Sequence, residues 1–252
     1  MRHWILAGFL ALVGTVAAWA GDVEDFRLTT EDGLGLAARF AEADIDPDTG
    51  AVGPRPTIIL IHGAGVSMER WEQVALVADL NAAGWHALSI DLRGRGRSEA
   101  PPESAAPVLP WADITAAFEW ASADERVDAD RIALVGESFG ANLIVTGQRQ
   151  GLWPVRTIVS LSATRVVFLW PVEISAHLSD ALYVGSTGDP YPAVDAVARV
   201  LEALTQGETA SIVADERSHG VGVLMNPETR AGVMDWLRAR LDEPAVDPMP
   251  TP

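Results

Sequence analysis

The sequence predicts an α/β fold: a mostly parallel, eight-stranded sheet with helices on both faces. Three observations lead there. Short apolar runs alternate with segments of helical periodicity along most of the 252 residues, as strand–helix units do. The strands themselves, "TIILIH" (57–62) and "RIALVG" (131–136), have continuous apolar runs at their centres, such as Ile132 to Val135, as strands buried on both faces do. The length, with 48% hydrophobic residues, suits one domain with a sizeable core.

The elements follow in order. Residues 1–20, "MRHWILAGFLALVGTVAAWA", have a short positive start, an apolar stretch and a small-x-small site at Ala18-Trp19-Ala20. That is a secretory signal pattern, and the apolar stretch is short for a membrane span. An exported, periplasmic or secreted chain beginning at Gly21 is expected, with no stable membrane span after cleavage; an uncleaved membrane anchor is the alternative. Residues 25–30 and 34–40 read as a hairpin turned at Asp32-Gly33. A strand at 57–62 precedes a helix over 69–83, where Trp71, Val74, Leu76, Val77 and Leu80 share helical spacing. Strands follow at 86–91, 131–136, 156–162, 181–186 and 209–214. Helices fall at 111–122, 139–149, 192–206 and 227–241. The domain thus spans 21–241, and the proline-rich residues 242–252, "DEPAVDPMPTP", read as a disordered tail.

Composition excludes several chemistries. There is no cysteine, hence no disulfide, thiolate nucleophile or cysteine-held metal. All eighteen basic residues are arginine, which removes lysine nucleophiles and Schiff bases. His3, His62, His86, His177 and His219 lack zinc-type spacing, and no metal or organic cofactor is expected. A formal charge of −17 would repel nucleic acid and anionic membranes, so no nucleic-acid partner is expected. That charge otherwise reads as solubility.

In parallel sheets the loops at the carboxyl ends of strands gather reactive groups. Ser138, Asp189 and His219 each follow such a strand, in the order serine, acid, histidine. Ser138 lies in Gly136-Glu137-Ser138-Phe139-Gly140, a G-x-S-x-G turn between a strand and a helix. Such a turn lifts the hydroxyl clear of the sheet and points a helix N-terminus at developing negative charge. Asp195 is a second candidate acid, but it falls inside the predicted helix. His62, His86 and His177 default to scaffold positions, and Asp91, Arg93 and Ser98 to bracing their loop. Glu137 has no assignable role at this level.

These motifs together resemble the α/β-hydrolase superfamily. Besides the elbow, "IHGAG" (61–65) is similar to its HG-x loop and "DLRGRGRS" (91–98) to its D-x-R-G-x-G-x-S loop. "GSTGDPYP" (185–192) resembles its acid loop and "SHG" (218–220) its histidine loop. The short spacing from Ser138 to Asp189, and the lead-in over 113–138, resemble the dienelactone hydrolase and prolyl oligopeptidase-like branch. The resemblance implies Ser138 as nucleophile, His219 as base and Asp189 as its partner. It implies an oxyanion hole from the backbone N–H groups of Ala64 and Phe139.

Only about twenty residues separate the strands on either side of 162–181, so no large cap is expected. The apolar "RVVFLWPVEIS" (165–175) either walls the pocket or packs as a short core helix. The expected activity is serine-dependent hydrolysis of small or short-acyl carboxylic esters. Peptidase, lactone or thioester hydrolysis, or a non-catalytic binding role for the fold, are the alternatives.

Overall fold

The first strand, β1 (Val23–Thr29), pairs antiparallel with β2 (Gly35–Ala41). The connection turns where Gly33 adopts φ 84° and the Gly33 N–H donates to the Thr30 carbonyl at 2.9 Å. The structure, a computed structural model, describes residues 22–44, 53–103, 110–164, 180–191 and 207–242. The segment 1–20, His177, the apolar 165–175, the helix expected at 192–206 with Asp195, and the tail from 243 lie outside the described residues.

From the hairpin the chain enters β3 (Arg55–Ile61), β4 (His86–Ile90), β5 (Val127–Glu137), β6 (Thr157–Leu161), β7 (Asp180–Ser186) and β8 (Thr209–Ala214). The eight strands order as β1-β2-β4-β3-β5-β6-β7-β8. The sheet is parallel from β4 through β8, and only β1 and β2 run against it. The expected fold class is therefore the observed one.

Alternation along each central strand feeds two cores. Ile59, Ile61, Leu134 and Ile158 face α2 (Trp111–Ala123) and α3 (Phe139–Arg149). Ile58, Leu60, Val135 and Val159 face α1 (Leu76–Ala82) and α4 (Pro227–Leu241). Every one of these strand side chains is fully buried. That is why the strands read as unbroken apolar runs rather than as alternation. Helix α4 starts where sequence chemistry says it should: Asn226 caps the N–H groups of Glu228 and Thr229, with Pro227 at the first helical position.

Two sequence expectations need correction. The helix expected over 69–83 is two pieces: a 3-10 segment at Met68–Gln73, then α1, with Val74 extended between them at φ −127° and ψ 155°. Trp71, Val74, Leu76 and Leu80 are all buried, so apolar periodicity continues across a break in the backbone. The Met68 N–H is taken by Asp91 Oδ1 at 2.7 Å, which ties the first piece to the loop after β4. The fifth strand starts at Val127, four residues before its expected start at Arg131. Its pairing with β3 shifts register between Arg55 and Thr57, so Asp128–Asp130 belong to the strand without facing the core.

Candidate active site

The loops after β3, β5, β7 and β8 meet at one end of the sheet, because parallel register brings Ile61 opposite Gly136 and Ser186 opposite Ala214. The turn from β5 into α3 is the sharpest. Ser138 sits there at φ 50° and ψ −108°, a conformation that costs a non-glycine residue about 1–3 kcal/mol. Its N–H donates to the Leu161 carbonyl at 2.8 Å, and its carbonyl accepts from Asn142 N at 3.0 Å, so both flanks are pinned. The glycines two residues to either side are steric necessities. A Cβ on Gly136 would lie 2.6 Å from the Gly140 backbone, and one on Gly140 only 2.3 Å from the Ile61 carbonyl oxygen.

Three sequence-predicted residues come together here. His219 Nε2 is 2.8 Å from Ser138 Oγ, and His219 Nδ1 is 2.8 Å from Asp189 Oδ2 and 3.0 Å from Oδ1. Asp189 is almost wholly buried, with 2% of its side chain exposed, and also accepts the Tyr191 N–H at 2.8 Å. The loops that carry acid and histidine are stitched to each other: Thr187 N donates to the Ala214 carbonyl, Gly188 N to the Glu216 carbonyl, and Ser186 Oγ to the Ser218 carbonyl. Tyr191 lies against the imidazole, ring centres 4.4 Å apart, and is itself 54% exposed.

Gly63, Ala64, Ser138, Phe139 and His219 border one cavity of about 520 Å³. Phe139 is the first residue of α3, so its N–H has no partner within the helix. Val66, Phe139 and Tyr191 supply apolar wall. Asn142 and Thr164 also border the cavity and are joined reciprocally: Asn142 Nδ2 donates to Thr164 Oγ1 at 2.9 Å, and Thr164 N to Asn142 Oδ1 at 3.0 Å. Among the described residues no group of three or more His, Asp or Glu is arranged to hold a metal ion.

The remaining motif residues build the frame. His62 is fully buried; its Nε2 accepts the Leu92 N–H at 3.0 Å, so Nδ1 holds the proton and donates to the Gly63 carbonyl at 2.7 Å. This joins the loop after β3 to the loop after β4. Within the latter, Asp91 accepts the N–H groups of Met68 and Arg97, and Ser98 Oγ bridges the Asp91 carbonyl and the Ala37 N–H. Arg93 is paired with buried Asp113 at 2.7 Å and with Asp32 at 2.8 Å. Burial pushes the Asp113 carboxyl up, and the Arg93 hydrogen bonds oppose it. His86 accepts the Ala43 N–H at Nδ1 and donates from Nε2 to the Arg126 carbonyl.

Burial lowers the affinity of both His62 and His86 for a second proton. Their folded values lie below the ordinary histidine value of about 6.5, so the unfolded chain takes up protons first as pH falls. The stability contributed by these neutral rings is complete above about pH 6.5 and is lost as the pH drops below it toward the folded values. Urea midpoints should hold level from pH 8 to 7 and decline from about pH 6.5 to 5, with part of the decline absent in His86→Gln. A level profile across that range would show that neither ring is held neutral by the fold.

Sequence reasoning missed Glu137, Tyr191, Arg70 and the Asn142–Thr164 pair. Tyr191 stands two residues after the acid, in "DPY". Nothing in periodicity marks a residue that borders a cavity through a loop. Glu137 did carry a signal: a charged residue at the end of a buried apolar run needs partners.

The alpha/beta hydrolase family model matches residues 58–251. Among curated proteins, an uncharacterized 31.7 kDa protein of the traX-finO intergenic region of Escherichia coli is 30% identical over 132 residues, covering 51% of this chain and 41% of that protein. The chain therefore spans about two fifths of the length of that relative. Among solved structures, a Pyrococcus furiosus esterase superposes with TM-score 0.71 at 17% identity, covering 89% of this chain and 92% of that one. Acetyl xylan esterase 1 from Thermoanaerobacterium superposes with TM-score 0.65 at 16% identity, covering 86% and 83%. At such identities the structural likeness is one of fold.

Proposed function

We propose that this chain, which belongs to the alpha/beta hydrolase family, is a serine hydrolase that cleaves small carboxylic esters through an acyl-enzyme on Ser138. The observation that carries the reading is the unbroken line from Asp189 through His219 to Ser138, 2.8 Å at each step, opening on a cavity of about 520 Å³. Ser138 Oγ attacks the ester carbonyl carbon as His219 Nε2 takes its proton. The carbonyl oxygen becomes an oxyanion held by the N–H groups of Ala64 and Phe139. The intermediate collapses, the C–O bond to the alcohol breaks, and His219 returns the proton to the leaving alkoxide. Water then attacks the acyl-enzyme by the same route and frees Ser138. Asp189 holds the Nδ1 proton throughout and steadies the imidazolium.

Cavity size favours compact substrates, since about 520 Å³ falls in the lower half of the roughly 300–1,000 Å³ range of small-molecule pockets. Two solved structures of the same fold have esterase names, one of them an acetyl xylan esterase, which fits a short acyl group. The small-x-small site at Ala18-Trp19-Ala20 supports export with cleavage after Ala20.

One preparation, expressed with its natural N-terminus, tests these points. A fluorophosphonate probe should label folded protein, and mass spectrometry should find the adduct on Ser138. Nitrophenyl acetate and butyrate should be turned over faster than long-chain homologues. The mature chain should begin at Gly21. An adduct on another serine would refute the nucleophile, and a long-chain preference would refute the small-substrate reading.

A further inference from the structure

Glu137 precedes the nucleophile, is 3% exposed, and has no part in the mechanism above. Its carboxylate lies between the two loops that the chemistry needs. Oε1 accepts the Gly63 N–H at 3.2 Å, and Oε2 accepts the Val221 N–H at 2.8 Å. Gly63 immediately precedes Ala64, whose N–H faces the developing oxyanion in the proposed reaction. Val221 lies two residues beyond His219. Arg70 Nε, 3.8 Å from Oε1, places a cation alongside. One side chain therefore bonds the residue before the oxyanion donor and the residue two beyond the base, and is itself next to the nucleophile.

The histidine loop is shaped around it. Gly220 has φ 58°, and a Cβ there would lie 2.2 Å from Glu137 Oε2. The glycine of "SHG" is needed both for its backbone angle and for the room it leaves to this carboxylate.

We propose that Glu137 is a positioning residue that sets the oxyanion loop and the histidine loop in register about Ser138. The inference rests on the esterase reading for its effect on rate, but not for the clamp itself. Two backbone N–H donors demand two acceptors. A carboxylate offers both. An amide of the same shape offers one, and turns an NH₂ group against the other donor. Glu137→Gln therefore preserves volume while breaking one side of the clamp.

The test compares full-length wild type, Glu137→Gln and Gly220→Ala, with Gly33→Ala as the control for a positive φ far from the site. In Glu137→Gln, kcat for nitrophenyl acetate and the rate of fluorophosphonate labelling should both fall roughly 10- to 100-fold with KM little changed, as for a small misplacement of reacting groups. Amide exchange at Gly63 or Val221 should speed up well below the melting temperature. Gly220→Ala, which keeps the carboxylate but displaces it, should slow labelling comparably. It also keeps the question open to measurement should Glu137→Gln not fold. Gly33→Ala should label at the wild-type rate. Folded Glu137→Gln with kcat within twofold of wild type and unchanged exchange would overturn the proposal. Absence of labelling in wild type, with exchange still faster in Glu137→Gln, would instead refute the esterase reading and leave the clamp standing.

Discussion

Asp189→Asn should lower kcat for nitrophenyl acetate by about 10⁴-fold while leaving the fold intact. The reason is tautomer choice. Asp189 now accepts from His219 Nδ1 and from the Tyr191 backbone N–H. Asparagine can keep the second bond only by turning its carbonyl toward Tyr191. Its NH₂ group then faces Nδ1, which must become an acceptor, and the proton moves to Nε2. There it donates to Ser138 Oγ instead of accepting from it, so the base is occupied before the reaction begins. The size of the side chain is unchanged, and no new buried group loses its partner. Circular dichroism and melting temperature should therefore match wild type. A loss of less than tenfold would mean that Asp189 does not set the proton on His219. If Asp195, the other acid the sequence offers, partnered His219 instead, Asp195→Asn would produce the large effect.

The order of the reactive residues was legible because each lies just past a strand that reads as apolar. Ser138 follows Val135, Asp189 follows Val184 and His219 follows Ala214, and in a parallel sheet those positions converge whatever the detailed packing. The charge of Glu137 signalled that it needs partners, but not which ones, because they are backbone N–H groups in two loops distant in sequence, and a backbone donor leaves no trace in residue identity. The break at Val74 was hidden for the opposite reason. Val74 is buried although its backbone is extended, so the apolar period runs on across the break. Asp128–Asp130 read as a loop because a register shift spares them from the core. Local pattern reports which face a residue shows, and it fails where a loop or bulge is fixed by contacts distant in sequence.

The nucleophile's conformation depends on a contact that the sequence marks with a glycine but cannot explain. Gly140→Ala should destabilise the protein by about 3–5 kcal/mol, among the larger effects of a single methyl group. The new Cβ would fall 2.3 Å from the Ile61 carbonyl oxygen and 2.7 Å from that of His62. Both are backbone atoms of a central strand and of the loop that leads to Gly63, so neither can rotate away as a side chain would. Relief must come from lifting the N-terminus of α3 off β3. That motion carries Ser138 with it, because Asn142 N is bonded to the Ser138 carbonyl at 3.0 Å. Stability and reactivity should therefore fall together: a lower urea midpoint, and slower fluorophosphonate labelling of the fraction still folded. Gly33→Ala separates the two kinds of glycine. At φ 84° with nothing near its Cβ, it should cost only about 1–2 kcal/mol, for the left-handed backbone alone, and leave labelling untouched. Equal costs at the two sites would mean that the helix can shift without strain. The close seat of α3 on β3 would then not be what holds Ser138 at φ 50°.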